Sequence, residues 1–195
     1  MKASRRVLVA IANGSEEIEA MSIIGTLVRA EAEVQVGKVY EESEEQGNLK
    51  VLLSRGVKLV ADLGITGETQ DDDYDAIVLP GGIGGAQNFH DSDIFMSLIR
   101  SHFEKGKLLG AICASPAFVL EPHGFLEGRD ATCYPALSEK LSNRSKAEQR
   151  VVISDNLITG NGPGSAIDFS LALVEHLYDK EKAQEVALSM ATTYD

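Results

Sequence analysis

Cys113 lies in the run Lys107-Leu-Leu-Gly-Ala-Ile-Cys-Ala-Ser-Pro116. A short apolar stretch of buried-strand type is followed at once by residues that start helices. Ser115 suits an N-cap, and Pro116 suits the first helical position, where its missing N–H costs nothing. A cysteine at such a junction faces the positive end of a helix dipole, which favours thiolate over thiol and lowers the pKa. The segment alone leaves two readings open: a reactive nucleophile, and a small buried apolar side chain.

A second group that could do chemistry is Glu19, one turn into a helix that the acidic pair Glu16-Glu17 starts. A carboxyl on or near the apolar face of that helix has a raised pKa once desolvated, and can then share a hydrogen bond with a thiolate. A plain solvated glutamate is the alternative. Glycines supply a third element. Asn13-Gly14-Ser15-Glu16, Pro80-Gly81-Gly82 and Cys113 all follow strand-like runs. In open α/β sheets ligands bind outside the carboxyl ends of the strands, and glycine there lets backbone N–H groups come close to an oxyanion. Routine turns would use the same residues.

None of the four histidines, His90, His102, His123 and His176, is next to Cys113 in sequence. His102-Phe-Glu104 has the look of an amidotransferase dyad, but its place on an amphipathic helix reads as a solvated face. Cys133 sits in a short strand-like run and reads as structural; whether it pairs with Cys113 is not inferable from spacing. Neither a Gly-x-Ser-x-Gly elbow nor a phosphate loop occurs, and no Cys/His spacing suggests a metal, so no cofactor or metal is expected.

These residues need elements to hold them. Arg6–Ala12 is a continuous aliphatic run, the pattern of a strand buried on both faces. Ile18, Met21, Gly25 and Val28 then recur at helical spacing. Glu33–Val39, Val51–Leu53, Val57–Ala61, Asp75–Pro80, Ala131–Tyr134, Val151–Ile153 and Leu157–Thr159 read as further strands, the last two bracketing a turn. Helices are predicted from about Ser92 to Lys105, from the Ser115-Pro116 start to about Pro122, after Tyr134, from Ser165 to about Tyr178 and from about Glu181 to Met190. Tyr40–Gly47 reads as a solvated acidic loop. Alternating strands and helices with buried-type strands predict one α/β domain with a mainly parallel sheet.

The 195 residues carry a formal net charge of −12, which argues against nucleic acid or an anionic membrane surface as partner. Two cysteines and a start that runs directly into a strand, with no secretory leader, fit a reducing, cytoplasmic location. No segment is long and apolar enough to span a bilayer.

The ordered motifs Gly14-Ser-Glu-Glu-Ile-Glu19, Leu79-Pro-Gly-Gly82 with Gly85-Ala-Gln-Asn88, Ala111-Ile-Cys-Ala-Ser-Pro116, Ala131-Thr-Cys-Tyr-Pro135 and Gly162-Pro-Gly-Ser165 resemble, nearly end to end, the ThiJ/PfpI superfamily. The likeness is to the branch of the Parkinsonism-associated protein deglycase. The resemblance implies one class I glutamine amidotransferase-like domain over residues 1–195, a flavodoxin-like three-layer α/β sandwich and a homodimer. It makes Cys113 the nucleophile of a strained elbow and Glu19 its hydrogen-bonded partner. Gly82 and Ala114 would supply oxyanion N–H groups, and Arg29 and Arg55 would stand near a dimer-side pocket mouth. Tyr134 stands where well-known members have histidine, and a phenol titrating near ~10 is no general base at neutral pH. Asn161 stands where a pocket arginine is often found, which weakens a role for anionic ligands. Ala114 replaces the histidine of the protease branch, which argues against proteolysis.

Two activities follow from the resemblance. One is a cofactor-free glyoxalase or deglycase that acts on a small α-oxoaldehyde such as methylglyoxal, or its adducts, in oxidative and carbonyl stress. The other is a redox sensor or redox-regulated chaperone working through oxidation of Cys113.

Overall fold

The computed structural model describes residues 4–41, 44–71 and 73–195. In chain order the strands and helices are β1 (Arg6–Ile11), α1 (Glu17–Arg29), β2 (Glu33–Lys38), β3 (Lys50–Leu52), β4 (Lys58–Val60), β5 (Leu63–Gly64), β6 (Ala76–Leu79), α2 (Ile83–Asp91), α3 (Asp93–Glu104), β7 (Leu108–Ile112), β8 (Val151–Ser154), β9 (Leu157–Gly160), α4 (Ala166–Leu177) and α5 (Lys180–Ser189). Seven strands form one sheet in the order β5-β2-β1-β6-β7-β9-β8. Each neighbouring pair is parallel except β8 and β9, which form an antiparallel pair around Asp155-Asn156.

The aliphatic runs are buried on both faces because each face carries its own helical layer. Leu8, Ala10, Ile77 and Leu79 point to the side of α2 and α3, where Phe89, Phe95 and Ile99 fill the core. Val7, Val9, Ala76 and Val78 point to the other side, onto α1, α4 and α5 through Ile23, Leu27, Phe169 and Leu173. The result is the expected flavodoxin-like three-layer arrangement. The hairpin of β3 and β4 stands outside the main sheet and packs Val51 and Leu53 against Ala20. Lys38 is fully buried, and its charge is satisfied by Glu44 and by the carbonyls of Asn48 (2.8 Å) and Lys50 (2.7 Å). It thereby ties the acidic loop to the hairpin; Glu42 and Ser43 of that loop lie outside the described residues.

The structure refines or corrects the local expectations at several points. Pro80-Gly81-Gly82 leads into a helix that the sequence reading did not assign, α2, which starts at Ile83 with Gly84 and Gly85 inside it. Residues 131–134 form no strand; they are held by single bonds such as Thr132 N–H to Thr159 Oγ1 at 3.0 Å. The helix expected after Ser115 is a five-residue π-helical turn, Pro116–Leu120, and the stretch after Tyr134 is a 3-10 helix, Pro135–Lys140. Ile18, Met21 and Val28 do share a helical stripe, but it faces outward, while Ala20, Ile23 and Leu27 face the core.

Candidate active site

The sheet order reverses direction at β1, whose neighbours are β2 on one side and β6 on the other. The crevice above the carboxyl ends of the strands at such a reversal is where doubly wound sheets bind ligands. Three chain segments meet there, following β1, β6 and β7.

After β1 the chain turns through Gly14 (φ 81°), and Glu16 caps α1 by accepting the Glu19 N–H at 2.8 Å. This cap sets the first turn so that the fully buried Glu19 side chain points inward. After β6, the Gly81 carbonyl accepts the Glu16 N–H at 3.0 Å, and the Gly81 N–H donates to Glu19 Oε2 at 2.6 Å. The glycines are required by contact. A Cβ on Gly81 would stand 2.5 Å from Cys113 Cβ, and one on Gly82 (φ 84°) would stand 2.2 Å from the Gly14 carbonyl oxygen.

After β7 comes Cys113, a non-glycine residue in the left-handed region with φ 64°. Such a conformation costs roughly 1–3 kcal/mol and persists only where the surroundings fix it. Here the Cys113 N–H donates to Gly160 O at 2.9 Å, and its carbonyl accepts the Tyr134 N–H at 2.7 Å. The residue is left 8% exposed, so it lies just beneath the surface of the crevice.

The N–H groups of Gly82 and Ala114 point at the sulfur, and the thiol interacts with the Glu19 carboxyl. Glu19 Oε1 is buried with no conventional hydrogen-bond partner, which leaves the sulfur as its neighbour. Burial raises the Glu19 pKa to about 7, against the lowering pull of the Gly81 N–H and the thiol, with the Glu16 charge adding to the rise. Burial also pushes Cys113 up to about 12, helped by the Glu19 charge and opposed by the two N–H groups. The depressed thiol pKa expected from a helix dipole is therefore corrected. The following element is a single π-helical turn, and Ser115 accepts no capping bond from it; desolvation and a neighbouring carboxylate outweigh whatever it supplies. The two groups titrate as a pair that releases its first proton near neutrality and holds the second far above it. With one proton present, the sulfur keeps it beside the Glu19 carboxylate, and N–H donors face both.

The remaining candidates divide. Tyr134 is 43% exposed at the rim, its ring beside Gly162. Asn161 is engaged in its own loop: its N–H donates to Arg150 O at 3.0 Å, and its Oδ1 accepts from Ser165 Oγ at 2.8 Å. With Pro135, Ser138 and Arg144 it lines a cavity of about 550 Å³ next to Tyr134. Arg55 is exposed in the β3–β4 turn, whose Ser54 N–H reaches Ser15 O at 2.8 Å, so it stands on the site's side of the molecule. Arg29 does not join it within one chain. It lies ten residues beyond Glu19 along α1, a rise of about 15 Å, and bonds its own helix at Gly25 O.

His102 is corrected as well. It is buried, not solvated; its Nε2 meets Leu108 O at 2.8 Å, and burial lowers its pKa to about 4. Leu108 begins β7 and Cys113 follows its end, so roughly 16 Å of strand separates this ring from the sulfur. Two contributors act otherwise than the sequence suggested. Gly81 holds the carboxylate through its N–H, and Ser115 donates its hydroxyl to Pro80 O at 2.7 Å instead of capping a helix. The Pro-Gly-Gly run was the available signal for the first. Among the described residues no cluster of three or more His, Cys, Asp or Glu side chains could hold a metal ion.

The DJ-1/PfpI family model matches residues 5–176. Protein DJ-1 homolog B of Arabidopsis thaliana is 48% identical over 188 residues, 96% of this chain but 41% of that protein, so the chain spans less than half the length of that relative. The glutathione-independent glyoxalase DJR-1.2 of Caenorhabditis elegans is 32% identical over 174 residues, 88% of each chain. The structure of oxidized Toxoplasma gondii DJ-1 superposes with a TM-score of 0.91 at 42% identity, covering 98% of this chain and 100% of that one. With a matching family model, the same sheet and helical layers as a solved DJ-1, and motifs that run the length of the chain, this protein belongs to the DJ-1/PfpI family, in its DJ-1 branch.

Proposed function

We propose that this protein is a cofactor-free, cysteine-dependent glyoxalase or deglycase acting on α-oxoaldehydes of the methylglyoxal type or their adducts. The observation that carries the reading is the buried Cys113–Glu19 pair, which shares one proton near neutral pH beneath the converging N–H groups of Gly82 and Ala114. The relative named a glyoxalase supports the same chemistry.

In this reading the Glu19 carboxylate takes the thiol proton as the Cys113 sulfur attacks the aldehyde carbon, and passes it to the new alkoxide, giving a hemithioacetal. Glu19, now a carboxylate, takes the hydrogen from that carbon as a proton and returns it to the neighbouring carbon through an enediol. The backbone N–H groups hold the oxyanion meanwhile. The product is the thioester of a 2-hydroxy acid, and water releases it. Methylglyoxal plus water becomes lactate, so the electrons balance within the substrate and no external oxidant or reductant enters.

The same reading takes the chain as one domain in a homodimer. Its support is the outward apolar stripe of Ile18, Met21 and Val28 on α1, beside exposed Leu52, Val57 and Val60 around the packed hairpin. Two free cysteines suit a reducing compartment such as the cytoplasm. Among the described residues, no helix is long and apolar enough to cross a membrane.

The test is lactate formation from methylglyoxal by purified protein, with Cys113→Ser measured alongside. Stoichiometric lactate from the parent and none from the variant is the expected result. Equal rates from both, or no lactate from either, would overturn the proposal.

A further inference from the structure

We infer that Ser115 is a positioning residue: by donating its hydroxyl to Pro80 O, it locks the Pro80-Gly81-Gly82 loop against the Cys113-Ala114 elbow so that both oxyanion N–H groups converge on one sulfur. As a role in turnover, this rests on the activity proposed above; as a statement about how the thiol is held, it stands on the geometry alone.

The two N–H donors belong to separate segments. Ala114 follows β7, and Gly82 follows β6. The parallel pairing of these strands runs from Ala76↔Leu108 to Leu79↔Ala111 and goes no further, so the ladder stops short of the donors. Beyond it, the hydrogen bond found directly between the two loops is Ser115 Oγ to Pro80 O, at 2.7 Å. Both residues are fully buried or nearly so, and Ser115 is 0% exposed, so water does not substitute for either partner. The Pro80 carbonyl belongs to the peptide unit that carries the Gly81 N–H, the donor to Glu19 Oε2. One hydroxyl thus fixes the orientation of a peptide plane whose other end holds the carboxylate. The next peptide along presents the Gly82 N–H to the sulfur.

Proline reinforces the arrangement from the other side. Pro116 lacks an N–H, so the backbone after Ser115 offers no competing donor to the Pro80 carbonyl. Ser115 itself has helical φ and ψ of −63° and −38° and makes no capping bond, so its hydroxyl is committed to the loop. The close approach of Gly81 to Cys113 makes the geometry sensitive.

The test is the pH profile of Cys113 alkylation by iodoacetamide, followed by peptide mass spectrometry so that Cys113 is read separately from the buried Cys133. Ser115→Ala and Ser115→Gly both remove the hydroxyl, and either one that folds carries the measurement. Ser170→Ala is the matched control. It deletes an equally buried hydroxyl bond, from Ser170 Oγ to Ala166 O at 2.6 Å, within α4. Loss of aligned donors shifts the Ser115 variants' profile upward by about one pH unit, which is a roughly tenfold lower thiolate fraction at neutral pH. Ser170→Ala keeps the parent profile. A folded Ser115 variant with the parent profile, or an equal shift in Ser170→Ala, overturns the inference. Methylglyoxal turnover on the same samples separates the two proposals. A shifted alkylation profile with no lactate from the parent defeats the glyoxalase reading and leaves the positioning role intact.

Discussion

At the scale of single residues, Glu19 is a fully buried carboxyl in the reactive centre. A carboxyl raised from its ordinary 4.5 to about 7 keeps its proton in the folded state across a window where the unfolded chain has lost it. The folded state then binds more protons, so its stability falls as pH rises from about 4.5 to 7. The size is roughly 3 kcal/mol for a shift of this order in a fully buried group. Glu19→Gln should lack that slope, and urea midpoints at pH 5 and pH 8 for both proteins measure it. His102, lowered to about 4, contributes the opposite slope between its folded and ordinary values, but it is common to both proteins and cancels. Turnover of methylglyoxal should fall by about 10²–10⁴ in Glu19→Gln, because an amide carries no proton between substrate carbons. A variant within a few-fold of the parent would remove Glu19 from the mechanism. The identity of this residue was legible from sequence through its position near an apolar helix face and through the family motif. The value of its partner was not. A strand-to-helix cysteine suggests a dipole, whereas the weight of burial against that dipole depends on neighbours from two other strands.

At the scale of elements, the site depends on backbone packed against backbone. Gly81→Ala would drive a methyl group into Cys113 and the Ile112 carbonyl, 2.5 and 2.8 Å away. The loop must move, and about 1–3 kcal/mol of stability should go with it, together with most turnover. Gly164→Ala, where a Cβ meets nothing within 4 Å, should stay within about 0.5 kcal/mol of the parent. Thermal unfolding and lactate assays on the pair decide the point, and equal behaviour of the two variants would contradict it. These contacts also explain which elements could be read in advance. β1, β6, β7 and α3 announce themselves because aliphatic runs and an amphipathic period are local properties, and Ser92 does cap α3 by accepting the Phe95 N–H. α2 stayed hidden because Gly84 and Gly85 are poor helix formers. Their absent side chains serve the approach to Gly14 and Ser15, not chain flexibility. Residues 131–134 misled in the other direction, since an apolar, β-prone composition there feeds isolated bonds to Thr159 and Cys113 in place of a ladder.

At the scale of the whole molecule, α1 carries two stripes on one helix. One builds the core through Ala20, Ile23 and Leu27; the other leaves Ile18, Met21 and Val28 at 56%, 49% and 55% exposure. A helix apolar on both sides is made to be covered twice. Met21→Glu should convert the proposed homodimer to a folded monomer, read by sedimentation equilibrium with circular dichroism as the control for folding. A parent that sediments as a monomer, or a variant that stays dimeric, would refute that assembly. Arg29 shares this helix and stands far from its own chain's sulfur, so any part it has at a pocket mouth requires the second copy to bring it there. Sequence spacing gave the outward stripe its period, but the side on which each stripe lies is decided by where the sheet sits.

The three loops that make the elbow lie close to residues 14, 81 and 113, and only the pairing of β1 with β6 and of β6 with β7 brings them together. The reactive centre as a whole is not local in the chain. Before those strands align, Cys113 is an ordinary thiol titrating near ~8.5, and Glu19 an ordinary carboxyl. The chemical character of one sulfur atom is therefore a clock for the chain's own folding. A pulse of alkylating reagent during refolding would register the moment at which the centre of the sheet closes, with no fluorophore added and in a chain that has no tryptophan to follow.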